Sequence, residues 1–100
     1  SNGKHDVTHI LVTSVDCDLL ALKVGDTASV TVTINCTSAR SLVVRVPAQL
    51  HLEAGIQSEV IGPTVEPLTR TWVLRAIEQG RGSFSGTLEV QGFALPIRVT

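Results

Sequence analysis

The side chains that could do chemistry in this 100-residue chain begin with three histidines. His5 and His9 are four residues apart, a spacing that would place both on one face of a helix. The residues that follow His5 are rich in Val, Ile and Thr, however, which predicts an extended strand. At about 3.3 Å per residue the two imidazoles would be about 13 Å apart, too far to share a metal ion. His51 falls on the outer face of another predicted strand, so we expect surface histidines and no metal site.

Two aspartates, Asp16 and Asp18, flank Cys17, and hard carboxylate oxygens at this spacing could join a calcium site. No third carboxylate lies next to the pair, so solvated aspartates on a strand are the simpler interpretation. A blue-copper centre would need a cysteine, two histidines and usually a methionine close together. The chain has no methionine, and neither cysteine has a histidine just downstream. We therefore expect no bound cofactor.

Catalytic motifs are equally sparse. The serines near Gly86 lie in a predicted strand and lack the Gly-x-Ser-x-Gly spacing of a nucleophile elbow. Gly80-Arg81-Gly82 predicts a turn that is too short to cradle a phosphate and has no helix after it. We expect no enzymatic activity.

The composition predicts one folded domain over residues 1–100, because 43% of the residues are hydrophobic and only 17% are charged. The net charge is -1 and the basic residues are scattered, so the sequence predicts no attraction for nucleic acid. No apolar stretch reaches the roughly 18–20 residues of a membrane span. Ser1-Asn2 resembles a tag remnant, and we expect a domain cut from a longer protein. Its partners would be neighbouring domains of the same chain, or another protein.

The elements that must position any site are predicted by a strict alternation of apolar and polar residues from Val24 to Glu53. A period of two places successive side chains on opposite faces, so residues 28–36 and 42–52 predict two strands with one dry face each. Further strands are predicted for residues 7–15, 60–61, 71–77, 83–90 and 93–99, with turns at 25–26, 80–82 and 91–92. The pattern slips by one residue between Leu19 and Leu20, which indicates a bulge or a crossing between sheets. Pro96 fits an edge strand.

Short strands at this spacing, with no helical period anywhere, predict an all-β antiparallel sandwich of about seven strands. Parity turns all three aromatic rings inward, which argues against a platform for stacking sugars. The residues expected to be most buried are Val30, Val32, Ile34, Val44, Val46, Leu50, Trp72, Leu74, Phe84, Leu88, Leu95 and Ile97.

Several motifs together carry a resemblance: Val24-Gly25-Asp26-Thr27 running into residues 29–35, Val46-Pro47, residues 52–55, residues 71–76, and Gly82 with residues 86–90. They resemble the bacterial immunoglobulin-like repeats of surface and adhesion proteins, with the cell-adhesion-related (CARDB-type) domains as the nearest group. The resemblance covers nearly the whole chain and rests on packing and turn motifs. It implies an immunoglobulin-like fold and a structural module of an exported protein, located outside the cell, at its surface or in the periplasm.

Both cysteines fall on apolar-side positions of their predicted strands. If Gly25-Asp26 is the bend of a simple hairpin, Cys17 lies opposite roughly Thr33, one diagonal step from Cys36. A Cys17–Cys36 disulfide is then within reach of the required Cα separation of about 4.4–6.8 Å. Two separate buried thiols are the alternative.

Three functions are open at this point. The first is a spacer, presentation or adhesion module without enzymatic activity. The second is a module that docks a partner protein or peptide on an exposed sheet edge. The third is a carbohydrate-binding accessory domain of a secreted enzyme. A long unprotected edge strand would favour the second, and an exposed Trp72 would favour the third.

Overall fold

The computed structural model describes residues 6–100, which form two antiparallel four-stranded sheets packed face to face. The strands are β1 (Thr8–Val15), β2 (Thr27–Cys36), β3 (Arg40–Arg45), β4 (Leu50–Ala54), β5 (Ser58–Ile61), β6 (Leu68–Ala76), β7 (Gly80–Leu88) and β8 (Gln91–Val99). Sheet I has the order β1-β2-β6-β4, and sheet II has the order β5-β3-β7-β8. The predicted antiparallel sandwich is confirmed, with eight strands. The orders β1-β2-β6-β4 and β3-β7-β8 match those of an immunoglobulin constant-type domain, and β5 is added at one edge.

Alternation produces the core as predicted. Every even residue of β2 from Ala28 to Cys36 is buried, and the odd residues between them are partly exposed. Ten of the twelve residues predicted to be most buried lie in the core, whereas Val46 and Leu95 are half-buried and pack against it. Val90, which alternation along the predicted strand 83–90 places on the same inward face as Phe84 and Leu88, is 69% exposed because it lies in a turn.

The alternating run from residue 42 to 52 is two strands and not one. β3 belongs to sheet II and β4 to sheet I, and residues 46–49 cross from one sheet to the other. Pro47 has no backbone N–H to donate to a neighbouring strand, which favours the end of β3 near this residue. The parity survives the crossing because the even residues of both strands face the same core, so the pattern alone does not reveal the change of sheet.

The slip at Leu19 and Leu20 marks a crossing between sheets, as one of the two interpretations predicted. Leu19–Ala21 form a short 3₁₀ turn, after which Leu22 makes a parallel bridge to Val99 at the end of β8. Residues 16–26 thus leave sheet I, contact the edge of sheet II and return. Gly25, with φ +98°, closes this excursion in the predicted turn.

The last two turns differ from their predicted positions. Gly80 already pairs with Val99, so the β6–β7 connection lies at residues 77–79. The β7–β8 turn is made of Glu89 and Val90, because Leu88 pairs directly with Gln91. Pro96 lies on an edge strand, as predicted.

The body is elongated, measuring 52 × 19 × 19 Å. One end, here called the proximal pole, carries the start of β1, the end of β2 and the β7–β8 turn. The other end, the distal pole, carries residues 16–26 and the end of β8. Asp6 and Thr100 therefore lie at opposite ends of the long axis. Between residues 6 and 100 no helix is long and apolar enough to cross a bilayer.

The centre of the core is a triangle of aromatic rings. Trp72 lies 5.8 Å from Phe84 and 6.1 Å from Phe93, and the two phenylalanines are 5.8 Å apart. Trp72 is 1% exposed, and its indole N–H donates a hydrogen bond of 2.8 Å to the carbonyl of Ile56. The ring thus joins sheet I to sheet II and to the β4–β5 connection.

Replacing Trp72 with alanine is expected to lower the free energy of unfolding by about 3–5 kcal/mol, because it opens a cavity and leaves the Ile56 carbonyl unpaired. Urea unfolding measures the loss. Val65→Ala is the control, since Val65 is fully exposed and its truncation should change stability by less than about 0.5 kcal/mol. A loss below about 1 kcal/mol for Trp72→Ala would contradict the central position of this ring.

Candidate functional site

The histidines and aspartates do not assemble a metal site in the part of the chain that the structure describes. His9 lies opposite Asn35 at the edge of sheet I, and His51 lies opposite Arg75 on the far side of the same sheet. No group of three or more His, Cys, Asp or Glu side chains within residues 6–100 is arranged to hold a metal ion. His5 lies outside the described residues.

Asp16 and Asp18 hold the backbone of the 16–26 excursion. The Asp16 carboxylate accepts a hydrogen bond from the Ser29 N–H at 2.8 Å, and Asp18 caps the 3₁₀ turn by accepting one from the Leu20 N–H at 3.0 Å. The Asp26 carboxylate accepts a hydrogen bond from the Lys23 N–H at 2.9 Å. The three carboxylates therefore serve local turns, which is the ordinary use of aspartate in such segments.

The Cys17–Cys36 bridge is not formed, and both thiols are free. Val15 pairs with Val30, and Cys36 lies six residues farther along β2, which is about 20 Å at 3.3 Å per residue. Cys17 lies on the other side of Val15, so the sulfurs are at opposite poles, far beyond disulfide reach. The hairpin assumption was wrong because residues 16–26 are an excursion to the other sheet and not a tight bend.

The two thiols differ in environment. Cys36 is buried and its Sγ lies 3.8 Å from the Gly62 carbonyl, whereas Cys17 is exposed at the distal pole. Partial desolvation, followed by the negative charge of Asp16, raises the pKa of the Cys17 thiol. Less of it is therefore ionised at neutral pH than in an ordinary cysteine.

A thiol reagent should modify Cys17 alone in the native protein, and slowly at neutral pH, because the thiolate is the reacting form. The rate should keep rising beyond pH 9, about the ordinary thiol value. In denaturant without reductant both cysteines should react. Cys17→Ser provides the control and should leave no reactive thiol before unfolding. If a denatured, unreduced sample had no reactive thiol, the Cys17–Cys36 disulfide would be present after all.

The sheet edges are protected against strand addition. Thr13 forms a bulge in β1, and the Ile10 N–H of the same edge donates a hydrogen bond of 3.4 Å to the side-chain oxygen of Gln91. On β8 the edge is interrupted by Pro96 and covered at its end by Leu22. The opposite edges are only five residues (β4) and four residues (β5) long. Short, bulged and proline-bearing edges are the usual defences against pairing with another chain.

The outer face of sheet I satisfies its own polar groups. Thr31 and Thr71 are hydrogen-bonded across strands at 2.8 Å, and Thr13 and Thr33 at 3.2 Å. Arg75 forms an ion pair with Glu53 at the end of this face. A surface of paired hydroxyls and neutralised charge offers little to a charged partner.

The outer face of sheet II is different, and no sequence motif points to it. Three of the six arginines point outward from it, Arg45, Arg81 and Arg98, and all three are exposed. Within residues 6–100 they form no ion pair and no side-chain hydrogen bond, whereas the other three arginines each hold a glutamate. Arg81 and Arg98 are direct cross-strand neighbours. Parity places Arg45 and Arg98 outward, Arg81 fell in a predicted turn, and the strand order was needed to bring all three onto one face.

The proximal pole is held by Arg40, whose guanidinium contacts Asp6 at 3.4 Å and Glu89 at 3.1 Å. Glu89 also accepts a hydrogen bond from the Ser41 N–H, and this bond, with that from Arg40, lowers the pKa of its carboxyl. Hydrogen bonds from Ser38 and from a neighbouring threonine lower the pKa of Asp6 in the same way. The contacts tie the segment before β1 to β3 and to the β7–β8 turn.

Because its pKa is lowered on folding, the Glu89 carboxylate stabilises the fold above its unfolded pKa, and this contribution is lost as the pH falls through its folded pKa. Glu89→Gln should therefore lower the melting temperature at about pH 7, and the difference from the parent should shrink below pH 4.5. Glu66→Gln is the matched control, since Glu66 makes no ion pair in the described chain. A difference that stays constant down to about pH 3 would contradict the assignment.

No protein-family model matches the sequence, and no curated protein matches it. Among solved structures the chain is similar to the crystal structure of domains 4 and 5 of the S-layer protein SbsC, with a TM-score of 0.60 and 14% sequence identity. The similarity covers 96% of this chain and 54% of the solved chain, so this domain spans about half of that two-domain structure. At this identity the likeness shows a shared fold, an all-β two-sheet domain that also occurs in a bacterial surface protein.

Proposed function

We propose that this domain is a non-enzymatic spacer and presentation module of an exported or cell-surface protein. The observation that carries the proposal is the position of Asp6 and Thr100 at opposite ends of a 52 Å body. A module built this way adds its full length to a chain of domains. Its radius of gyration of 14.8 Å exceeds the roughly 13 Å of a compact domain of this size.

The directions of the terminal strands support the same role. β1 and β8 run along the sheets between the two poles, so a pull on Asp6 and Thr100 loads their ladders lengthwise. At the distal pole the end of β8 is bonded to the excursion, with the Leu22 N–H donating to Arg98 at 3.1 Å and the Thr100 N–H donating to Leu22 at 2.8 Å. Many hydrogen bonds then share the load, which suits a module under tension.

The other functions have less support. The sheet edges are short, bulged or interrupted, which disfavours docking of a partner strand. Trp72 and Phe84 are buried, so these rings offer no platform for a neutral sugar. Because both cysteines are free, a disulfide does not support export of this domain. The exported setting therefore rests on the fold shared with an S-layer protein domain and on the motif resemblance.

A tandem of two copies joined Thr100 to Asp6 tests the proposal by small-angle X-ray scattering. Two 52 Å bodies in series should give a maximum dimension of about 100 Å. The control tandem carries a flexible Gly/Ser linker and should give a broader distance distribution, because its bodies can fold back on each other. A direct tandem no longer than about 60 Å, with the copies side by side, would contradict the spacer role.

A further inference from the structure

We propose that the outer face of sheet II binds an acidic polysaccharide through Arg45, Arg81 and Arg98. Beyond spacing neighbouring domains, the module would then contact a carboxylated, phosphorylated or sulfated polymer. The proposal concerns one face only. It does not depend on the order of the poles or on the domain's role in a longer chain.

The first observation is that none of the three arginines forms an ion pair within residues 6–100. All nine carboxylates of the chain lie within the described residues, and none occupies an outward position on β3, β5, β7 or β8. Arg40, Arg70 and Arg75 are each paired with a glutamate elsewhere. The domain as a whole has a net charge of -1, so a local charge of +3 on one face is a marked segregation.

The second observation is that Arg81 and Arg98 lie directly opposite each other on β7 and β8. Like charges in this position repel and weaken a sheet. The neighbouring outward positions of β7 carry Ser83, Ser85 and Thr87. A serine or threonine at position 81 would have allowed the same fold without this repulsion. An anion placed between the two guanidinium groups turns the repulsion into a paired site, because guanidinium binds planar carboxylates and phosphates in bidentate fashion.

The third observation is a shallow cleft at this pair, with a volume of about 270 Å³. It is lined by Leu20, Arg81, Gly82, Pro96, Ile97 and Arg98. Leu20 is half-exposed and forms an apolar lip beside the two charges. A sugar ring has both polar groups and apolar C–H faces, so a sugar acid fits a cleft of this composition.

The third arginine favours a polymer over a single small anion. Arg45 pairs with Ser85, and Arg81 lies four residues farther along β7, about 13 Å at 3.3 Å per residue. One carboxylate cannot bridge that span, whereas a chain with repeated acidic groups can contact both ends. The small side chains of Ser83 and Ser85 along this stretch of β7 keep the face open to a hydrated polymer.

Other polyanions fit less well. An acidic protein partner needs several apolar anchors near the charges. Leu20 is the exposed apolar residue that lines the Arg81–Arg98 cleft, whereas Val43 and Val60, the other large outward apolar residues of this face, lie toward its Arg45 end. Val43 pairs with Thr87, six residues or about 20 Å from Arg81. Single-stranded nucleic acid needs aromatic rings for stacking, and Trp72 and Phe84 are buried.

The test is an NMR titration of the isotope-labelled domain with oligogalacturonate, dextran sulfate, polyglutamate, inorganic phosphate and neutral dextran. Oligogalacturonate or dextran sulfate should shift amide signals on β7, β8 and the end of β3, and the shifts should weaken with added salt. The relative response to the carboxylated and the sulfated polymer identifies the acidic group. Neutral dextran should cause no shift.

The variant Arg45→Gln/Arg81→Gln/Arg98→Gln should lose at least tenfold in polymer affinity, while its melting temperature stays equal or rises because the Arg81–Arg98 repulsion is gone. The matched control Lys23→Gln/Arg75→Gln/Arg70→Gln removes three positive charges elsewhere and should keep most of the affinity. Should that control unfold, Lys23→Gln/Arg75→Gln compared with Arg81→Gln/Arg98→Gln makes the same comparison.

Four outcomes would overturn the proposal. The first is that no acidic polymer shifts the sheet II signals, and the second is that the two charge-matched variants lose affinity equally, which would mean attraction by net charge alone. The third is that phosphate shifts the signals as strongly as either polymer at equal anion concentration, which would indicate a small-anion site only. The fourth is that polyglutamate binds more tightly than both acidic polysaccharides, which would assign the face to an acidic protein.

Discussion

The indole of Trp72 is the contact on which the two sheets and one of their connections depend. It packs edge-on against Phe84 of sheet II, and its N–H holds the Ile56 carbonyl in the β4–β5 connection. Gly55, one residue earlier, has φ +118°, and a Cβ there would lie 2.5 Å from Cδ1 of the indole. The close approach of backbone to ring therefore requires glycine, and the chain's single tryptophan also determines the local backbone.

A core of this kind leaves little freedom to the inward positions, because they must fill the space between the sheets. Chemical differences between domains of this fold are then confined to the outward positions, the edges and the poles. Here the edges are closed and sheet I pairs its own hydroxyls, as Thr31 does with Thr71. The described arginines that form no ion pair are all on the outer face of sheet II, where Arg81 faces Arg98. The outer face of sheet I therefore pairs its polar groups, whereas the outer face of sheet II carries arginines without an ion pair.

Alternation predicted the burial of β2 and the inward direction of Trp72, because a period of two is a local property of an extended chain. It did not predict the change of sheet at residues 46–49, since both flanking strands face the same core. The Cys17–Cys36 proposal was wrong for a related reason: the length of the β1–β2 connection is not encoded in strand parity. The arginine face needed the order β3-β7-β8, which only tertiary structure supplies.

The poles and the outer faces are stabilised by different contacts in this architecture. Asp6 is tied at the proximal pole by Arg40 and Ser38, and Thr100 is tied at the distal pole by Leu22. Tension between the poles passes lengthwise through the β1–β2 and β7–β8 ladders, whose hydrogen bonds and buried side chains resist together. The outward side chains of sheet II contribute to that resistance only through cross-strand pairs such as Arg81 and Arg98, whose repulsion weakens the ladder slightly. The charge of this face can therefore change at a small cost to the ladders, so the proposed binding and the proposed spacing are compatible in one small sandwich.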